Sequence, residues 1–164
     1  MIENAHRLLG NPALNIVLYE PEIPANTGNI ARTCGAAHMR LHLVHPLGFR
    51  TDDRHLKRAG LDYWHEVDIQ HHQSFHAFQD FLKDQGHAGR VIGFSRHANM
   101  LYTEAKLSRG DYLLFGPETR GLPKTLMESV PCYRVPIWGQ VRSLNLSTTV
   151  GIVSYHYLYD MDLF

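Results

Sequence analysis

The feature that most limits what this chain can fold into is an alternation. Short apolar runs, rich in β-branched and aromatic residues, recur at Leu14–Tyr19, Leu41–Val44, Val91–Phe94, Tyr112–Phe115 and Tyr133–Ile137. Runs of this length read as buried strands. Stretches with helical spacing lie between them. Asn29–Ala37 follows Gly28, and Asp52–Ala59 starts behind a Thr51 or Asp52 cap and stops at Gly60. Ser74–Lys83 carries Phe75, Phe78, Phe81 and Leu82 on one face behind a serine cap. Pro123–Ser129 opens with a proline, which a first helical turn tolerates, and Leu146–Tyr159 is apolar on most sides. Strands alternating with helices predict an α/β domain built on a mainly parallel sheet.

At 164 residues the chain is one domain, and a domain of this size buries about 70% of its unfolded surface without disulfides or metal. Sixteen Lys and Arg balance sixteen Asp and Glu. That excludes a strongly basic, non-specific nucleic-acid binder but leaves room for a local basic patch. Cys34, inside the first helix, and Cys132, before a strand, are expected as buried, inert thiols of a reducing compartment. No apolar run reaches the length of a membrane span. Met1–Ala13 lacks the apolar core of a secretory signal and reads as a disordered leader of a cytoplasmic protein, with the domain proper over residues 14–164. His71, His72 and His76 cluster without a cysteine or carboxylate set at zinc spacing, so they read as surface histidines and no metal is expected.

Common nucleotide and hydrolase signatures are missing. No G-x-G-x-x-G follows the first strand, and no G-x-S-x-G elbow occurs. Gly116 and Gly121 have the two-glycine spacing of a P-loop, but Leu122-Pro123 replaces the Lys and hydroxyl that hold phosphate and Mg²⁺. Three other segments carry candidate chemistry. In Pro24–Arg32, directly after the first strand, Asn26 is placed to cap a helix, Gly28 permits close backbone approach, and Arg32 offers a guanidinium fork to a phosphate. From spacing alone, a capped helix with a solvent-exposed arginine is the favoured reading. In Leu113–Leu122 an apolar strand ends in Gly116-Pro117-Glu118, at the carboxyl end where open α/β sheets bind ligands. A plain strand–turn–helix connection fits almost as well. In Arg142–Gly151, Ser143 and Asn145 open an apolar helix and either contact a polar ligand or simply cap it.

In this order and at these distances the three segments resemble the signature motifs of the SPOUT RNA methyltransferases. Within that superfamily the chain is most similar to the TrmH-like 2′-O-ribose methyltransferases and to their tRNA wobble-nucleotide subgroup. Asn15–Pro24, Asn26–Arg32, Arg58–Tyr63, Phe115–Pro123 and Ser143-Asn145-Leu146-Ser147 carry the likeness, which runs from Leu14 to Tyr157. The resemblance implies an α/β sheet with a C-terminal trefoil knot, S-adenosyl-L-methionine as cofactor, and a homodimer whose site is completed across the interface. It implies methylation of the ribose 2′-OH at nucleotide 34, C or modified U, with leucine tRNAs as the expected substrates. Carried over residue by residue, it places Phe94, Gly116, Val135 and Ser143, with backbone at Ile137 and Leu144, against the cofactor. It places Asn26, Arg32, Glu118 and Asn145 at the reaction centre. Trp138-Gly139-Gln140-Val141 departs from the family's usual proline-containing loop.

The chemistry needs no metal, since a sulfonium carries its own leaving group. An arginine that never deprotonates is a poor base, so Arg32 is expected to clamp a phosphate and polarise the hydroxyl. Glu118 is expected to orient Asn26 or a backbone amide. For RNA contact, Arg54, Lys57 and Arg58 share a face of the Asp52–Ala59 helix, joined by Arg120, Lys124 and Arg142, although a solvated charged helix fits nearly as well. A final helix apolar all round calls for a two-fold interface. The rival readings are a 2′-O-methyltransferase for another tRNA position or for rRNA, and a non-catalytic RNA-binding or assembly protein.

Overall fold

In a computed structural model, which describes residues 11–51, 54, 61–86 and 89–163, the chain forms a seven-stranded sheet. The strands are β1 (Asn15–Tyr19), β2 (Arg40–Val44), β3 (Ile69–His72), β4 (Val91–Phe94), β5 (Met100–Leu101), β6 (Tyr112–Phe115) and β7 (Cys132–Arg134). Their order across the sheet is β3-β2-β1-β6-β4-β7-β5, and every pairing is parallel. The helices are α1 (Pro24–Ala36), α2 (Phe75–Asp84), α3 (Lys124–Ser129) and α4 (Leu146–Asp160). Short 3-10 turns span Leu61–Glu66 and Tyr102–Glu104. No helix among the described residues is long and apolar enough to cross a membrane.

The central strands β1 and β6 are buried on both faces, so their side chains divide between two cores by strict alternation. Ile16, Leu18, Leu113 and Phe115 join Ile30 and Cys34 of α1 and Val150, Val153 and Tyr157 of α4 on one side. Val17, Tyr112 and Leu114 join Phe78 of α2 and Leu122 on the other. Ala13, counted with the leader in the sequence reading, is fully buried, and its carbonyl accepts from Gly110 N at 2.8 Å.

Several expectations change. The run Tyr133–Ile137 leaves the sheet at Val135, because Pro136 has no N–H to give a ladder. β3 escaped notice because Ile-Gln-His-His has one β-branched residue and lies at the sheet edge, and β5 is only two residues long. α1 begins at Pro24 rather than near Asn29, so Asn26 lies inside the helix and does not cap it. Ser74 does cap α2, accepting from Ala77 N at 3.1 Å. The expected Asp52–Ala59 helix falls, apart from Arg54, outside the described residues. Both cysteines are free thiols. Cys34 is fully buried and burial pushes its thiol up, whereas Cys132 is only half-buried.

The histidines need the largest correction. His72 is buried, not a surface residue, and His42 is fully buried beside it. Asn15 Nδ2 donates to Gly110 O at 3.0 Å, which turns Asn15 Oδ1 toward His42 Nε2 at 3.4 Å. His42 Nε2 therefore donates, and its Nδ1 accepts from His72 Nε2 at 2.9 Å. Phe78, Phe81 and Tyr112 enclose the pair, which must stay neutral. Burial, then the neighbouring His72, pushes the His42 pKa down to about 3. His72 is lowered too, by burial and by His71 and His45.

The unfolded chain, with His42 near 6.5, binds more protons than the folded one between that value and about 3. Stability is full above the upper value and declines as pH falls below it. We expect urea midpoints to drop between pH 7 and pH 5, approaching about 1.4 kcal/mol per pH unit for each such histidine. His42→Gln should flatten that slope.

Candidate active site

All strands being parallel, their carboxyl ends lie along one edge of the sheet, where a ligand site is expected. A cleft of about 450 Å³ opens there, a size within the range of small-molecule sites. Phe94 and Phe115, which end the adjacent strands β4 and β6, stack at 5.2 Å between ring centroids, 19° apart, and form an apolar base. Val135, Ile137 and Leu144, on the segment that left the sheet, make an apolar wall, with Ser143 and Arg142 beside them. Gly116 opens the loop on the opposite side. A Cβ there would lie 2.2 Å from Leu122 N and 2.3 Å from Gly121 C, so only glycine fits. The close approach Gly116 permits is therefore to its own loop. That loop closes with Gly121 N donating to Pro117 O at 2.8 Å, Gly121 sitting at φ +69°.

A carboxylate holds the loop against α1. The N-cap residue of α1, Ile23, has no side chain that can accept, and Pro24 supplies no N–H. Glu118, on the loop after β6, instead ties down the chain entering the helix, accepting from Glu22 N at 2.7 Å and Ile23 N at 3.1 Å. It also accepts from Asn26 Nδ2 at 3.3 Å. Asn26 Oδ1 in turn accepts from Asn145 Nδ2 at 3.0 Å, and Asn145 Oδ1 caps α4, accepting from Ser147 N at 2.9 Å and Thr148 N at 3.3 Å. One hydrogen-bonded line thus joins all three sequence motifs, and Asn145 both caps its helix and faces the cleft.

The carboxylate of Glu22 returns the contact. It accepts from Thr119 N at 2.9 Å and from Thr119 Oγ1, and these bonds, ahead of the nearby Arg120, hold its pKa below the usual carboxylate range. Arg120 reaches Glu20 at 3.1 Å and Glu22 at 3.5 Å. It stands in an ion-pair network with these two carboxylates. Nothing in the sequence singled out Glu22, although two carboxylates just ahead of Pro24 were a signal. Arg96 also lines the cleft unforeseen, its guanidinium donating to Arg142 O at 3.1 Å.

The cleft brings together Phe94, Gly116, Val135, Ile137, Ser143 and Leu144, together with Asn26, Glu118, Asn145, Arg120 and Arg142. Arg32 is not among its lining residues. It stands on the exposed face of α1, six residues beyond Asn26 and so about 9 Å along the helix axis. Arg54 is exposed, Lys57 and Arg58 lie outside the described residues, and Lys124 pairs with Glu128 at 3.7 Å. Among the described residues no group of three or more His, Cys, Asp or Glu side chains is arranged to hold a metal ion.

A parallel α/β sheet with this three-motif cleft defines an RNA methylase of the SpoU type, and residues 13–155 match the SpoU rRNA Methylase family. The chain belongs to that family. It is 46% identical over 146 residues to a tRNA (cytidine(34)-2′-O)-methyltransferase of Yersinia pestis, covering 87% of this chain and 90% of the relative. It is 43% identical over 145 residues to the enzyme of that name in Escherichia coli K12, with the same coverage. A solved structure bearing on the 2-OH methylation of C/U34 on tRNA superposes with a TM-score of 0.85 at 47% identity, covering 91% of this chain and 97% of the other.

Removing Asn26 leaves Asn145 Nδ2 without its acceptor, and removing Glu118 leaves three N–H donors unanswered. Asn26→Ala is expected to cost about 1–2 kcal/mol of stability and Glu118→Ala about 2–3 kcal/mol, measured by urea denaturation. The double mutant should fall short of their sum by about 0.5 kcal/mol or more.

Proposed function

We propose that this protein transfers a methyl group from S-adenosyl-L-methionine to the ribose 2′-oxygen of nucleotide 34 of tRNA, working as a homodimer. The observation that carries this reading is that the residues the family likeness assigns to cofactor and to reaction centre, Arg32 apart, come from five separate segments into one cleft. SpoU methylases use S-adenosylmethionine, and the donor set fits it. Apolar walls at Phe94, Ile137 and Leu144 suit an adenine, backbone around Gly116 and Ser143 suits its polar edge, and the polar line at Asn26 suits the charged end.

When bound, that cofactor supplies an electrophilic methyl on a sulfonium whose departure as a neutral thioether needs no acid. The residues of the chain have two tasks. They must bring the ribose oxygen to about 3 Å from the methyl, in line with the breaking bond, and help its proton leave. Glu118 is a poor base, since both its oxygens already accept from N–H groups. Its work is to fix Asn26, which with Asn145 presents amides toward the reacting ribose. The phosphate next to the target falls to Arg32. On the exposed side of α1 it reaches not its own cleft but that of a second copy, where its fork holds the phosphate and polarises the hydroxyl. The dimer surface includes the outer side of α4, where Ile152, Tyr155 and Tyr159 are exposed, because a helix apolar on both sides needs a second partner.

The test is transfer of labelled methyl from S-adenosylmethionine to total tRNA from cells lacking this protein, with digestion and mapping of the 2′-O-methyl nucleosides. Label at nucleotide 34, leucine tRNAs foremost, is the expected result. Label elsewhere or on rRNA keeps the chemistry and changes the substrate, and cofactor binding without turnover on any RNA points to a non-catalytic role. Arg32→Lys is expected to lower turnover at least about tenfold with tRNA affinity little changed. Sedimentation should give twice the chain mass.

A further inference from the structure

Trp138 has no structural task in the fold. It is 89% exposed, the most open of the large apolar residues among those described, and Val141 in the same loop is exposed too. An indole left in water needs a reason. The loop follows Ile137 and precedes Arg142, both of which line the cleft, so Trp138 stands at its rim.

The charge on the two sides of the cleft is unequal. One side carries Glu20, Glu22 and Glu118, with Arg120 paired among them. The other is built from Pro131–Thr149 and Ser95–Arg96, stretches that contain no Asp or Glu. The cations of these stretches that line the cleft are Arg96 and Arg142, both exposed, and Arg96 is braced on the Arg142 carbonyl at 3.1 Å. A polyanion meets repulsion on the first side and two guanidinium groups on the second. An exposed aromatic beside guanidinium groups is the usual platform for an unpaired base: the indole takes the base face and the cations take the flanking phosphates.

We infer that Trp138 is a positioning residue for RNA, stacking on an unpaired base next to the methylated nucleotide while Arg96 and Arg142 hold the adjoining backbone. This rests on the proposed action on tRNA and adds which side of the cleft the anticodon loop crosses. The indole touches the neighbouring base and not the reacting atoms, so its effect falls on substrate binding.

The test uses the full-length protein, an anticodon stem–loop RNA, and the variants Trp138→Ala and Trp138→Phe. Trp138→Ala is expected to raise KM for the RNA about 5–100-fold, with kcat and KM for S-adenosylmethionine unchanged, and Trp138→Phe to recover most of the loss. An RNA made abasic beside the target should lose a similar factor with the parent protein and no further factor with Trp138→Ala. RNA should quench tryptophan fluorescence in the parent more than in Trp138→Phe, a readout that does not need turnover and so separates this inference from the proposed reaction. A rise in KM for the cofactor would make the loop a cofactor lid, and a change in sedimentation would make it a dimer contact. Either result, or a phenylalanine no better than alanine, overturns the inference.

Discussion

The site depends on one carboxylate. Helix α1 starts with a residue that cannot cap it and a proline that cannot donate, and the N–H groups of Glu22 and Ile23 just ahead of it find their acceptor far along the chain. Glu118 answers both from the loop after β6, with the bonus that negative charge suits a helix N-terminus. Glu22 answers in the other direction through Thr119. Once these two loops are locked, Asn26 has a fixed place, and through it Asn145 and the start of α4. A longer or less rigid loop could not do this. The backbone contact that only a glycine at 116 allows keeps the loop short enough for Glu118 to point back at the helix.

The division of labour around the cleft follows. The side carrying Glu20, Glu22, Glu118 and Arg120 is occupied with its own bonds and gives shape. The opposite side, where Pro136 takes the chain out of the sheet, has side chains free of such ties at Ile137, Trp138 and Ser143. Segments that stop obeying the sheet are where an α/β protein has side chains to spare for a ligand.

Much of this was legible from residue order. The central strands announced themselves because strands buried on both faces are apolar throughout, and α2 because its phenylalanines share one side behind a serine. The three motifs were visible as segments, and their joint meaning came from resemblance, since each taken alone also fitted ordinary capping or turning. What stayed hidden was relational. Asn26 looks like a cap until Pro24 is seen to start the helix, and Arg120 looks like a free cation until Glu20 and Glu22 fold against it. His42 and His72 look hydrophilic, and only pairing across β2 and β3 inside an aromatic shell makes them core residues. Polar residues reveal their role through partners, and partners distant in sequence cannot be read along it.

Distance in sequence also bears on how the molecule is made. The bond between Asn26 and Asn145 closes a loop of 119 residues, and that between Glu22 and Glu118 one of 96. Contacts of such span are slow to form and come late. During synthesis, α1 leaves the ribosome long before the residues that tie it down and complete its cleft. Until the loop after β6 emerges, the N–H groups of Glu22 and Ile23 lack Glu118, and until α4 follows, Asn26 lacks Asn145 and the cleft is only partly built. Competence for ligand and completion of this part of the fold therefore arrive together once Asn145 and α4 have been made, and a chain truncated ahead of Asn145 lacks both.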